Sequence, residues 1–173
     1  MRIPVGPAII LLLFFCFQTT AQEINVRANL SVHAITDFEN GFIGGGLGVE
    51  GALSRHWSVG ADVSWASNSD LSIFNFNPTV RFYFGRALQG FYLGLGGNIN
   101  KLSRDIGPVG YPIQITRGSP VVVGGPEASL GVQARINNRI TMGIKTGLTL
   151  FTDIDLDENV GFNLNFTVGA LLF

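Results

Sequence analysis

The stretch Ile24-Asn25-Val26-Arg27-Ala28-Asn29-Leu30-Ser31-Val32-His33-Ala34 decides the fold class. Its apolar and polar residues alternate without a break. Successive side chains of an extended strand point to opposite faces, so one face carries Ile24, Val26, Ala28, Leu30, Val32 and Ala34 and the other Asn25, Arg27, Asn29, Ser31 and His33. A helix would mix the two sets around its circumference. The same period of two recurs down the chain. Ile43, Leu47, Val49 and Leu53 oppose Gly44, Gly46, Gly48 and Glu50, and Trp57, Val59, Ala61, Val63 and Trp65 oppose Ser58, Gly60, Asp62 and Ser64. Phe74, Phe76, Val80, Phe82 and Phe84 oppose Asn75, Asn77, Thr79, Arg81 and Tyr83, with Pro78 suggesting a local bulge.

Further on, Phe91, Leu93, Leu95 and Ile99 alternate with Tyr92, Gly94, Gly96, Asn98 and Asn100. A sixth, less sharply bounded segment ends at Ile136, with Ala128, Leu130, Val132 and Ala134 against Ser129, Gly131, Gln133 and Arg135. Residues 140–150 and 160–173 complete a set of about eight strands. The connections alternate in length: 54–56, 85–90 and 137–139 are short, whereas 36–42, 101–120 and 151–159 are longer, and only 67–70 is brief on the long side.

Composition restricts what such strands can build. Charged residues are 13% of the chain and hydrophobic ones 46%. That charge is low for a soluble domain, which averages about 25%. After residue 21 no apolar run reaches the roughly 18 residues of a transmembrane helix. Backbone groups in lipid must all be paired, so the remaining spanning solution is a closed barrel. The expectation is an all-β, eight-stranded antiparallel up-and-down transmembrane β-barrel, apolar face outward, with short turns on the periplasmic side and longer loops outside. A soluble lipocalin-like barrel would reverse the faces. Its exterior would then be the Gly, Asn, Ser and Thr set, which suits a narrow packed lumen better than a solvated surface.

The first residues fit export. Arg2 precedes an apolar run over 8–17, and Thr19 and Ala21 put small side chains before Gln22. Residues 1–21 read as a cleaved signal peptide and 22–173 as the barrel domain. The sole cysteine, Cys16, lies in the signal, and Phe14 and Phe15 before it do not suit lipidation. No disulfide is therefore available to the mature chain.

Strand number, loop asymmetry and the closing segment Asn165-Phe166-Thr167-Val168-Gly169-Ala170-Leu171-Leu172-Phe173 together resemble the small eight-stranded outer-membrane barrels of the OmpA and OmpX kind. The chain also looks like the porin-family outer-membrane β-barrel proteins of Bacteroidetes. The resemblance covers nearly the whole mature chain. It implies a Gram-negative outer membrane, contact with its lipid including lipopolysaccharide, and handling by periplasmic chaperones and the barrel-assembly machinery. That machinery would read Gly169, Leu171 and Phe173 as an assembly signal, although Gly169 lies one residue nearer the end than the family's glycine. A monomer is implied.

Trp57 and Trp65 share the outward face eight residues apart, about 20 Å along the membrane normal at ordinary rise and tilt. With Phe82, Phe84 and Phe91 near one rim they are expected to form the aromatic girdle. Inside, Arg27, Glu50, Asp62, Arg81, Arg135 and Lys145 fall on polar faces and are expected to make a mixed-sign charge network, since buried charges must be paired. A first-hairpin centre near residue 38 puts Arg27 roughly opposite Glu50.

Other motifs carry less. Gly46-Leu47-Gly48-Val49-Glu50-Gly51 matches GxGxxG but lies within a strand with no helix after it, so its glycines are read as room for large lumen neighbours. Asp153, Asp155, Asp157 and Glu158 begin like a calcium loop, yet Leu164 stands where its last carboxylate should be. A looser divalent-cation or lipopolysaccharide-bridging contact remains open beside a plain solvated acidic tip. His33 and His56 lie at opposite ends and cannot cooperate. No metal, cofactor or nucleic-acid partner is expected, the net charge being −1. The sequence thus favours a non-catalytic outer-membrane barrel with a filled polar lumen, acting structurally or through surface loops, of which 101–120 is the longest. A narrow pore for ions or very small polar solutes is the alternative, and a lipid-modifying enzyme a distant third.

Overall fold

The structure is a computed structural model in which residues 23–35, 41–68, 71–104, 121–151 and 160–172 are described. Phe173, most of the longer loops, including 111–116, and residues 1–22, which include the expected signal peptide, lie outside the described residues. The strands are β1 (Ile24–Ile35), β2 (Phe42–Ala52), β3 (Trp57–Ser67), β4 (Leu71–Tyr83), β5 (Gly90–Arg104), β6 (Val121–Arg135), β7 (Ile140–Leu150) and β8 (Val160–Leu172). Each pairs antiparallel with the next, and β8 pairs with β1 to close the barrel. This is the all-β, eight-stranded architecture expected, with no open edge among the described strands.

One boundary of the β5–β6 hairpin differs from the sequence reading. β5 continues to Arg104, so the hairpin reaches further than alternation alone indicated and its connection shrinks from 101–120 to 105–120. Gly124, Gly125 and Pro126 break the apolar alternation at the start of β6, which hid it. Pro78 also makes no bulge. The pairings of β4 with β3 and β5 keep one register along their length, and only the β5 ladder is interrupted, at Asn77 and Pro78. Proline lacks the N–H donor. The Asn77 side-chain amide donates to the Gly97 carbonyl at 2.7 Å in its place.

The outward face is Ile, Leu, Val, Phe and Trp on every strand, and the inward face is buried polar and charged residues. That inversion of a soluble core is the mark of a barrel wall facing hydrocarbon. Short turns close one end. In 136–139 the Asn137 carboxamide oxygen accepts from Arg139 and Ile140 N–H, both at 2.8 Å, a local Asx bond that fixes the reversal. The 84–90 turn folds inward and buries Ala87 and Leu88. Leu88 has φ 63°, a backbone region unfavourable for a bulky side chain, and its carbonyl accepts from the Gln133 side chain at 3.0 Å.

The lumen has apolar caps that alternation of polar residues did not reveal. At the turn end Ala52, Tyr83, Ala87, Leu88, Tyr92 and Leu171 pack together. At the loop end Phe42, Ala66, Leu71, Ile73, Leu102, Val123 and Phe151 do so. The charged layers lie between them.

Candidate functional site

Arg27, Gly48 and Asp62 sit side by side on β1, β2 and β3. A Cβ on Gly48 would fall 1.9 Å from Asp62 Oδ1, so only glycine leaves the path across β2 open. Over it Arg27 Nε donates to Asp62 Oδ1 at 2.9 Å and Nη2 to Oδ2 at 2.8 Å, a two-pronged guanidinium–carboxylate pair. Gly169 stands across from Arg27 on β8, so the arginine is flanked by glycine on both sides.

Arg27 Nη1 also donates to Glu50 Oε2, which accepts from Arg81 Nη1 at 2.5 Å as well. Arg81 Nη2 reaches Asp62 Oδ2 at 3.3 Å, closing a ring of two cations and two anions. Glu50 Oε1 accepts from Ser58 Oγ at 2.5 Å and from the Tyr83 hydroxyl at 2.8 Å. The Arg81 guanidinium lies 4.9 Å from the centre of the Tyr92 ring. Every charge here is buried and matched, and each carboxylate oxygen has a donor. Such an arrangement offsets the desolvation that isolated buried ions could not withstand.

The hairpin register differs from the expected one by about two residues. Glu50 pairs across from Asn25, and Arg27 from Gly48. The ion pair forms along a diagonal, because a long arginine spans what the backbone register does not.

Lys145 belongs to a second layer, nearer the loops. Its Nζ donates to Asn77 Oδ1 at 2.7 Å and to Glu127 Oε1 at 2.9 Å. Glu127 Oε2 accepts from the side-chain amides of Asn98 at 2.9 Å and Asn163 at 2.8 Å. Glu127 was missed because it follows Pro126 at the blurred start of β6. Its parity with Ser129, Gly131 and Gln133 was the available signal. Gly131 faces both Tyr92 and Lys145, and a Cβ there would meet the Tyr92 hydroxyl at 2.5 Å.

Arg135 joins neither layer. It lies at the turn-end rim, where Glu23 bridges it at 3.2 Å and Arg86 at 2.9 Å. The expected six-residue network is therefore a quartet, a separate lysine site and a rim arginine. The quartet also recruits Ser58, Tyr83 and Tyr92, which sequence reasoning had left as ordinary lumen positions.

The aromatic residues divide between the two rims. Trp57 is 48% exposed and packs edge-on against Phe82 at 5.1 Å, with Phe84 and Phe91 beside them at the turn end. Trp65, 65% exposed, pairs with Phe74 toward the loops. Gly169 and Leu171 face inward, Leu171 in the turn-end cap. His33 Nε2 is 3.5 Å from Ser64 Oγ, both buried in the lumen away from any lipid, and His56 contacts the Tyr83 carbonyl at the other end.

Little space is left between these groups. The cavity bordered by Arg27, Asp62, Arg81, Tyr92 and Lys145 measures about 10 Å³, as does the one beside His33, Asn98 and Asn163. That is at the lower limit for holding one water.

Fold and interior together define a small closed β-barrel with a lipid-facing wall and a packed, charge-compensated lumen. Within that class the chain belongs to the family described as "Protein of unknown function (DUF3575)", which matches residues 8–162. No curated protein matches the sequence. Among solved structures, the N-terminal β-barrel domain of Pseudomonas aeruginosa OprF is similar with a TM-score of 0.60 at 9% identity, over 86% of this chain and 97% of that one. Neisserial surface protein A gives 0.54 at 11% identity, over 87% and 95%. Ail, the attachment invasion locus protein of Yersinia pestis, solved with the heparin analogue sucrose octasulfate, also gives 0.54 at 11%, over 87% and 97%. These likenesses establish the shared eight-stranded barrel fold.

Proposed function

We propose that the protein is a non-catalytic barrel of the bacterial outer membrane, plugged by its own side chains, that acts as a structural element or presents its longer loops to surface partners. The observation carrying this reading is the lumen: a closed quartet of matched charges, a second lysine–glutamate layer, and apolar residues sealing both ends. A conducting pore needs a continuous wetted path, and apolar constrictions oppose one by dewetting. Catalysis on lipid would need a nucleophile and base at a lipid-accessible rim. Among the described residues the one Ser–His contact is inside the barrel. The barrels it resembles include one named for attachment, which fits a role exercised by loops.

Proteoliposome swelling tests the reading. Vesicles carrying the refolded protein should swell in small sugars and amino acids no faster than empty vesicles. Uptake above that baseline would replace the plug with a pore. Exchanging 105–120 for a short Gly-Ser turn should leave heat-modifiable gel migration, the sign of a folded barrel, intact. Loss of the folded form would make that segment part of the scaffold rather than a presented loop.

A further inference from the structure

We propose that the turn end of the barrel is a collar for anionic phospholipid headgroups, an inference that rests on the membrane reading above. Each of the turns 53–56, 84–89 and 136–139 contains one arginine and no acid: Arg55, Arg86 and Arg139. All of them are exposed. Arg135 adds another guanidinium at the base of β6. Glu23 is the acid that answers them among the described residues, and it is already shared between Arg86 and Arg135. Arg55 and Arg139 have no ion-pair partner among the described residues. The end therefore keeps a surplus of positive charge.

The opposite connections have the reverse composition. Asp37, Glu39, Asp70, Asp105, Asp153, Asp155, Asp157 and Glu158 fall in them against Arg117, with Lys101 and Arg104 on the adjoining end of β5. A net charge of −1 conceals this segregation. Position strengthens the assignment. Trp57, Phe84 and Phe91 project outward immediately beside the arginine-bearing turns, and aromatic rings of this kind settle at headgroup level. The guanidinium fork matches a phosphate with two parallel hydrogen bonds. Between the first two turns lies a groove of about 510 Å³ lined by Glu23, Leu53, Ser54, Arg55 and Arg86, which offers an apolar wall as well as two cations. A phosphodiester on Arg55, the groove cation that Glu23 does not hold, with its acyl-bearing side toward Leu53, suits that mixture. A basic segment beside a membrane attracts anionic lipid over zwitterionic lipid.

The tryptophans supply the test, because one lies at each rim. In a Trp65→Phe protein Trp57 is the reporter at the arginine end, and in a Trp57→Phe protein Trp65 reports the other. Each is refolded into bilayers containing either brominated phosphatidylglycerol or brominated phosphatidylcholine, and fluorescence quenching gives the relative lipid affinity at that rim. Trp57 should be quenched with a several-fold preference for phosphatidylglycerol, Trp65 with none. Substituting Arg55, Arg86 and Arg139 together by Gln should bring the Trp57 preference toward one. If that triple variant does not fold, Arg55→Gln with Arg139→Gln, neither of them ion-paired among the described residues, should still lower it. Equal quenching by both lipids at Trp57, or an unchanged preference in the folded variants, overturns the collar. Quenching of neither tryptophan by either lipid would instead overturn the membrane reading itself.

Discussion

The two charged layers of the lumen solve the same problem differently. In the layer nearer the turns, Arg27 and Arg81 share Glu50 and Asp62, so each ion has two opposite partners. Nearer the loops, one lysine meets one glutamate, and neutral amides from Asn77, Asn98 and Asn163 complete the set. The first layer depends on charge matching, so removal of any one member leaves an ion without its compensation. The second depends mainly on neutral donors and acceptors, which can still solvate the ion that remains. Glycine makes both possible by leaving room for large side chains, as Gly48 does for the Arg27–Asp62 pair and Gly147 for Glu127 and Asn163.

The largest effect is therefore expected at Arg27. Arg27→Met leaves Glu50 and Asp62 with Arg81 alone and should cost about 3–5 kcal/mol, measured by urea unfolding from lipid vesicles. Adding Asp62→Leu to Arg27→Met should recover part of that loss, since removing both charges is less harmful than removing one. A double variant as unstable as the sum of the singles would mean the pair is not coupled. Lys145→Met should cost about 1–3 kcal/mol, because Glu127 keeps its amide donors. A loss equal to that of Arg27→Met would erase the distinction between the layers. Gly48→Ala should cost about 1–3 kcal/mol by overpacking against Asp62. In an Asp62→Ala background the further cost of Gly48→Ala should be much smaller, and additive costs would show that the methyl clashes elsewhere.

The wall of the barrel was legible in the sequence because alternation is strict wherever one face meets lipid and the other a packed lumen. Residues 24–34 alone give the strand and both its faces. Legibility failed where that contrast fades. At 124–126 the pattern passes through Gly-Gly-Pro, and Glu127 was lost with it. The apolar caps were hidden for the opposite reason, since Ile73 and Leu102 face inward yet look like wall residues. Of the site, the four quartet charges could be placed on the inner face from parity alone. The Arg27–Glu50 pair was read too, on a register two residues off, but the two-pronged Arg27–Asp62 pair was not, because it depends on the arginine reaching across β2 over Gly48. The Leu88 stopper required tertiary packing to appear at all, for nothing local favours a left-handed leucine.

Single-channel recording of the refolded protein in a planar bilayer, wild type beside Glu50→Ala, tests the filled lumen most directly. Both should be silent, because the apolar caps at Tyr83, Leu88 and Leu171 and at Phe42, Ile73 and Phe151 remain even when the quartet is broken. Reproducible small steps in the wild type, changed in size or ion selectivity by Glu50→Ala, would contradict the plug and make the buried charges a filter.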